Sequence, residues 1–142
     1  YLFEKLKRYD KTPEFISLMN WQQLGTEYMN QNNFEAAISF FEYGLSVDAH
    51  HETTRNLLAA AYNNFGSALR NHKQSEQATA YYQRSLELNP TFSQTDLARV
   101  HLNLAASLKE QKEYELALSY TQKAIALEPT LAEAIAELVS LK

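Results

Sequence analysis

Apolar positions along the chain follow a helical period, in pairs of stripes. Trp21, Leu24, Gly25 and Tyr28 recur at steps of three and four and so share one face of a helix, and Ala37 and Phe41 mark the facing stripe of a second. Between them Gln31-Asn32-Asn33 reads as a turn. Glycine costs about 1 kcal/mol relative to alanine inside a helix, so Gly25 predicts a point where the second helix passes too close for a side chain. The arrangement returns twice. Tyr62, Phe65, Gly66, Leu69, Ala78, Tyr82, Ser85 and Pro90 take the places of Trp21, Leu24, Gly25, Tyr28, Ala37, Phe41, Gly44 and Ala49. His101, Leu104, Ala105, Leu108, Ala117, Thr121, Ala124 and Pro129 take them again, with His101 replacing the aromatic anchor and Thr121 the large residue of the second helix.

From roughly Leu18 to Leu131 this spacing resembles the tetratricopeptide repeat, a helix-turn-helix unit of ~34 residues that buries its apolar face only against its neighbours. The resemblance implies an all-α fold, a right-handed superhelical array of antiparallel helix pairs with flanking terminal helices. As one domain over 1–142, the chain divides into an N-terminal helix (1–11), three repeats (12–51, 52–92 and 93–131) and a C-terminal capping helix or start of a fourth repeat (132–142). The units begin at Leu18, Ala59 and Ala98, steps of 41 and 39. Glu52 to Leu58 and Ser93 to Leu97 contain no glycine or proline, so the surplus is placed at the N-terminal ends of the first helices. The longer period is similar to that of the extended repeats of kinesin light chains. Expected helices run to Asn30, then Phe34–Val47, Glu52–Asn71, Ser75–Leu88, Gln94–Gln111 and Tyr114–Leu127. Phe34, Ala37, Ile38, Phe41 and Leu45 face inward on the second. Ser93, three residues before Asp96, marks a helix start.

At the ends, Leu2, Phe3, Leu6 and Tyr9 form the apolar stripe of a short amphipathic helix, and Thr12-Pro13 reads as N-cap and first helical residue. Thr130 with Glu133 resembles a capping box opening a last helix to Leu141, whose apolar surface (Ile135, Leu138, Val139, Leu141) is broad. Beginning at Tyr1 without methionine, the chain reads as a processed chain or a fragment cut from a longer protein.

Composition narrows the function. A net charge of -4 with interspersed signs argues against a nucleic-acid partner, which needs clustered lysine and arginine. No apolar run approaches the ~20 residues of a membrane span, so direct membrane insertion is not expected. The absence of cysteine excludes disulfides and thiolate metal sites; a cytoplasmic location is the working expectation. His50, His51, His72 and His101 lack partners at metal-binding helical spacing, and with three glycines there is no phosphate-cradling loop. His50-His51 reads as a solvated connector, and His101 as a buried ring with one hydrogen bond. Glu27, Glu35, Glu110, Glu113 and Glu115 read as solvated faces. The expectation is a non-enzyme with no cofactor and no metal.

In the family, first helices line a concave groove. The resemblance places there Met19, Gln22, Gln23, Thr26 and Met29; Ala60, Asn63, Asn64, Ser67 and Arg70; and Arg99, Leu102, Asn103, Ala106 and Lys109. Side-chain amides offer both donor and acceptor and can hold an extended peptide by its backbone. Chaperone co-factors of the family clamp a C-terminal carboxylate with cations and asparagines at positions that are Gln22, Thr26, Asn64, Arg99 and Asn103 here. Only Asn64 matches, with Arg99 keeping the charge, which removes most of the charge-assisted bonds of such a clamp. Arg70, Arg99 and Lys109 leave the later groove positive. Two functions follow as expectations. One is an adaptor or scaffold binding an extended peptide or chain terminus of a protein partner. The other is an assembly element that packs, as a homodimer or on a neighbouring domain, through its terminal helices.

Overall fold

Three copies of one turn punctuate the chain. The computed structural model describes residues 21–88, 90–131, 136 and 140. The described residues form α1 (Trp21–Asn30), α2 (Phe34–Val47), α3 (Glu52–Asn71), α4 (Ser75–Glu87), α5 (Gln94–Glu110) and α6 (Tyr114–Leu127). Within each pair the link is three residues, and its middle residue, Asn32, Lys73 or Lys112, is left-handed at φ 60, 61 and 65°. The next amide reaches back to the last turn of the preceding helix, Asn33 to Tyr28 O at 2.9 Å, Gln74 to Leu69 O at 2.8 Å and Glu113 to Leu108 O at 2.9 Å. This left-handed closure satisfies carbonyls that a helix end leaves bare. It recurs at the 41 and 39 residue steps of the side-chain pattern, so backbone and sequence share one period.

Helix limits agree with the sequence expectation to within a residue. The surplus over a ~34-residue unit lies in the first helices, since α3 has 20 residues and α5 has 17 against 13 in α4 and 14 in α6. Ser93 caps α5, its hydroxyl oxygen accepting from the Asp96 amide at 3.1 Å. Asn33 caps α2 in the same way through Ala36, at 3.3 Å. Two compact units divide the chain, Tyr1–Tyr62 and Asn63–Lys142, with the boundary inside α3.

In the first unit a Cβ added at Gly25 would overlap the Phe41 ring, and one at Gly44 would overlap the Trp21 indole. Glycine is therefore required at both crossings. Leu24 and Phe40 form the buried core with Tyr28 and Tyr43 packed against them, the Tyr28 and Phe40 rings stacked at 5.6 Å. Phe40, absent from the inward set expected for α2, is fully buried, whereas Phe34 and Leu45 are only partly so. Helix α2 is covered on more than one face, with Ala36 and Ser39 also buried, and a single stripe underestimates that.

In the second unit the core is Ala78, Tyr82, Leu104, Ala105, Leu108 and Ala117, flanked by Leu69, Leu86 and Tyr120. Ala98, Ala124 and Leu131 form a second cluster. Thr121 is fully buried, with its hydroxyl donating to Ala117 O at 2.8 Å. The Glu128 carboxylate accepts from Thr130 at 2.8 Å and from Thr95 at 3.0 Å, and these bonds, the Thr130 one first, hold its carboxyl below the usual range. His101 departs from expectation: its ring stacks on Tyr120 at 6.0 Å, but its buried Nδ1 has no hydrogen-bond partner.

The amphipathic helix at Leu2–Tyr9, the Thr12-Pro13 start and Met19 lie outside the described residues. So does most of the last helix, including Glu133, Ile135, Leu138, Val139 and Leu141, and with it the terminal-helix assembly surface. No described helix is long and apolar enough to cross a membrane.

Candidate functional site

Helices α1, α3 and α5 are the first members of their pairs and carry every described residue assigned to the groove, Met19 lying outside the described residues. In the first unit Gln22 is half-buried, and its amide donates to Thr54 Oγ1 at 2.9 Å and lies 3.0 Å from His51 Nδ1. The Thr54 amide donates to the same Nδ1 at 3.3 Å, so the ring of His51, the residue before α3, accepts as an N-cap. His51 is thus a structural residue rather than a solvated connector; His50 beside it is exposed. Gln22 turns its amide to the fold. Thr26 is exposed and Met29 half-buried.

In the second unit the adjacent asparagines of α3 have different surroundings. Asn103 Nδ2 on α5 donates to Asn63 Oδ1 at 3.2 Å, while Asn64 is exposed. Ser67 Oγ lies 2.9 Å from the phenol oxygen of buried Tyr82, which ties it to the packing of α4. Arg99 is exposed on α5.

Arg70 and Lys109 hold the same place near the ends of α3 and α5, and the fold brings them together. With Ala106, Glu110 and Tyr114 they line a cleft of about 350 Å³. Arg70 Nε donates to Glu110 Oε1 at 3.0 Å, and the Ser75 hydroxyl donates to the other carboxylate oxygen. Lys109 Nζ donates to Ser140 Oγ at 2.9 Å. Behind the cleft a polar cluster fixes the start of α4 on α5. Ser107 Oγ donates to Ser75 O at 2.7 Å, and Gln111 Nε2 donates to Ser75 O at 3.2 Å and to Thr79 Oγ1 at 2.6 Å. Wall residues held from several directions keep a cleft open at little entropic cost.

Two cleft residues escaped the sequence reading. Glu110 is exposed, as a solvated face predicts, but its carboxylate also accepts from Arg70 and Ser75, 40 and 35 positions away, which no local pattern conveys. Tyr114, 52% exposed, opens α6 at the place of Phe34 and Ser75, aromatic in two of the three units but outside the first helices to which the groove was assigned. Among the described residues no group of three or more histidine, aspartate or glutamate side chains converges as a metal site.

Tetratricopeptide repeat models match residues 20–51 and 59–92, and a further tetratricopeptide repeat model matches 98–131. The chain belongs to the tetratricopeptide repeat family. Solved structures agree on the fold. The first such domain of Spaghetti (RPAP3), bound to an HSP90 peptide, is 20% identical with a TM-score of 0.55, covering 85% of this chain and 86% of that one. The second domain of human RPAP3, in complex with an HSP70 peptide, is 16% identical with a TM-score of 0.55, covering 85% and 91%. MamA is 19% identical with a TM-score of 0.52, covering 82% and 81%. No curated protein sequence matches the chain significantly. In family terms α1, α3 and α5 are the first helices of repeats one to three, and Arg70 and Lys109 are equivalent positions of repeats two and three.

Proposed function

We propose that the chain is a protein-protein interaction module, an adaptor or scaffold that holds an extended peptide or chain terminus of a partner on the first helices of its repeats. The observation that carries this is the fixed cleft between α3 and α5, where Arg70 and Lys109 lie beside the exposed aromatic ring of Tyr114. Two domains of the same fold are bound to heat-shock protein peptides, which supports a peptide as the ligand class. The side chains here favour a different grip from a carboxylate clamp. Gln22, at a cationic clamp position, donates its amide to Thr54, and Asn103 donates to Asn63. Asn64, exposed and polar, is a groove amide of the second unit that a peptide backbone can reach.

The test is a binding screen of synthetic decapeptide libraries by fluorescence anisotropy. The reading predicts saturable binding by some pools, weakened several-fold by Asn64→Ala with an unchanged melting curve. If no pool binds, the peptide-binding reading falls.

A further inference from the structure

We infer that the paired amides of Asn63 and Asn103 read the main chain of the bound peptide, taking the N–H and C=O of one extended residue; this rests on the peptide-binding reading above and names the chemistry that holds its ligand. Asn63 on α3 and Asn103 on α5 lie in the second unit, 40 positions apart, and Asn103 Nδ2 donates to Asn63 Oδ1 at 3.2 Å. A carboxamide carries N–H donors and an acceptor oxygen, so the bond leaves Asn63 Nδ2 and Asn103 Oδ1 over. Among the described residues neither of these atoms has a hydrogen-bond partner, and the buried side-chain atoms without one are Trp21 Nε1, Arg55 Nε and His101 Nδ1. The two remaining groups of the asparagine pair are therefore open to solvent. Exchanging the roles of the two amides leaves the same complement, one donor beside one acceptor. Both side chains are half-buried and each fixes the other, so little rotamer freedom remains to be lost when a ligand arrives.

This complement selects the ligand group. An ionised carboxylate only accepts and an ammonium only donates, so each would match one half of the pair and leave the other unmet. A residue in extended backbone turns its N–H and C=O to the same side, as in the doubly bonded pairs of an antiparallel ladder. Asn103 Oδ1 accepts from that N–H, and Asn63 Nδ2 donates to that C=O. Such a grip is indifferent to the ligand's side chain at the residue it holds. Asn103 occupies one of the family's clamp positions, and as a neutral amide tied to Asn63 it brings no charge to a carboxylate. Gln22, the counterpart of Asn63 in the first repeat, donates its amide to Thr54 instead.

The test is an amide-to-ester scan of the tightest decapeptide from the library screen, read by anisotropy against the wild type and Asn103→Ala. An ester keeps the shape of the peptide link and replaces its N–H by oxygen. The expected result is one ester position that weakens binding to the wild type about fivefold or more and binding to the variant less than about twofold. Alanine at the same ligand residue is tolerated by both proteins. Circular dichroism establishes folding of the variant, and Asn103→Leu, also without the acceptor, serves if alanine unfolds the chain. A scan with no ester-sensitive position, an ester penalty undiminished in a folded variant, or dependence on an asparagine or glutamine side chain of the ligand in its place overturns the inference and leaves the peptide-binding reading standing. Absence of any binding overturns both.

Discussion

Replacing Gly66 by alanine tests the helix crossing that the repeat depends on, because the sign of the effect is diagnostic. A Cβ at Gly66 would sit 2.8 Å from Tyr82 Cε1, 2.9 Å from Cδ1 and 3.1 Å from Cζ. Tyr82 is fully buried and its phenol lies 2.9 Å from Ser67 Oγ, so the ring cannot swing aside freely. Alanine gains about 1 kcal/mol of helix propensity. Against that stand about 1–3 kcal/mol for overpacking a filled core and about 0.5–1.5 kcal/mol if the phenol bond is displaced. With both costs counted the balance is a loss of about 0.5–3.5 kcal/mol, which at a slope of about 2 kcal/mol/M lowers the urea midpoint by roughly 0.3–1.8 M. Urea unfolding followed by far-ultraviolet circular dichroism measures it. A midpoint that rises, as for a solvent-facing glycine, refutes the close crossing. The third repeat carries the complementary solution, with Ala105 and Thr121 both fully buried at the equivalent places. Accordingly the Gly66→Ala penalty should shrink in a Tyr82→Thr background, a coupling that a double-mutant cycle reads directly.

Lys73→Gly and Lys112→Gly each relieve a side chain at φ 61 and 65°, and each should raise stability by about 0.5–1 kcal/mol in urea unfolding. Ser93→Ala removes the cap on Asp96 and should cost about 1 kcal/mol, with faster amide exchange confined to the first turn of α5. Burial, and secondarily Lys123, hold the His101 imidazole below its ordinary value of 6.5. The unfolded chain therefore takes up the proton first, so this contribution is complete above about pH 6.5 and is lost as pH falls through the folded value. His101→Phe should flatten that part of the stability profile between neutral and mildly acidic pH.

The fold was legible because the three repeats each state the same constraint. Gly25 and Gly66 face Phe41 and Tyr82, buried Ala105 and Thr121 hold the equivalent places of the third repeat, and the three-residue turns recur at the same steps. What periodicity did not convey is which polar groups the fold consumes. Asn63 and Asn64 are neighbours in sequence, yet one pairs with Asn103 and the other is exposed. Gln22 and His51 are 29 positions apart and meet only through the folded hairpin. Phe40 was missed because α2 is buried on more than one side, so its apolar positions exceed one stripe. The charges of Arg70 and Lys109 were visible, but their sharing of one cleft depends on how α5 lies beside the end of α3 in the second unit.

Whether the first helices hold the ligand is decided by an amide chemical-shift titration with the tightest pool peptide of the decapeptide screen. The predicted result is saturable shifts concentrated on α3 and α5, at Asn64, Arg70, Arg99, Asn103 and Lys109, with Gln83, Arg84, Gln122 and Lys123 of the second helices unmoved. Shifts centred on α4 and α6 instead would contradict it.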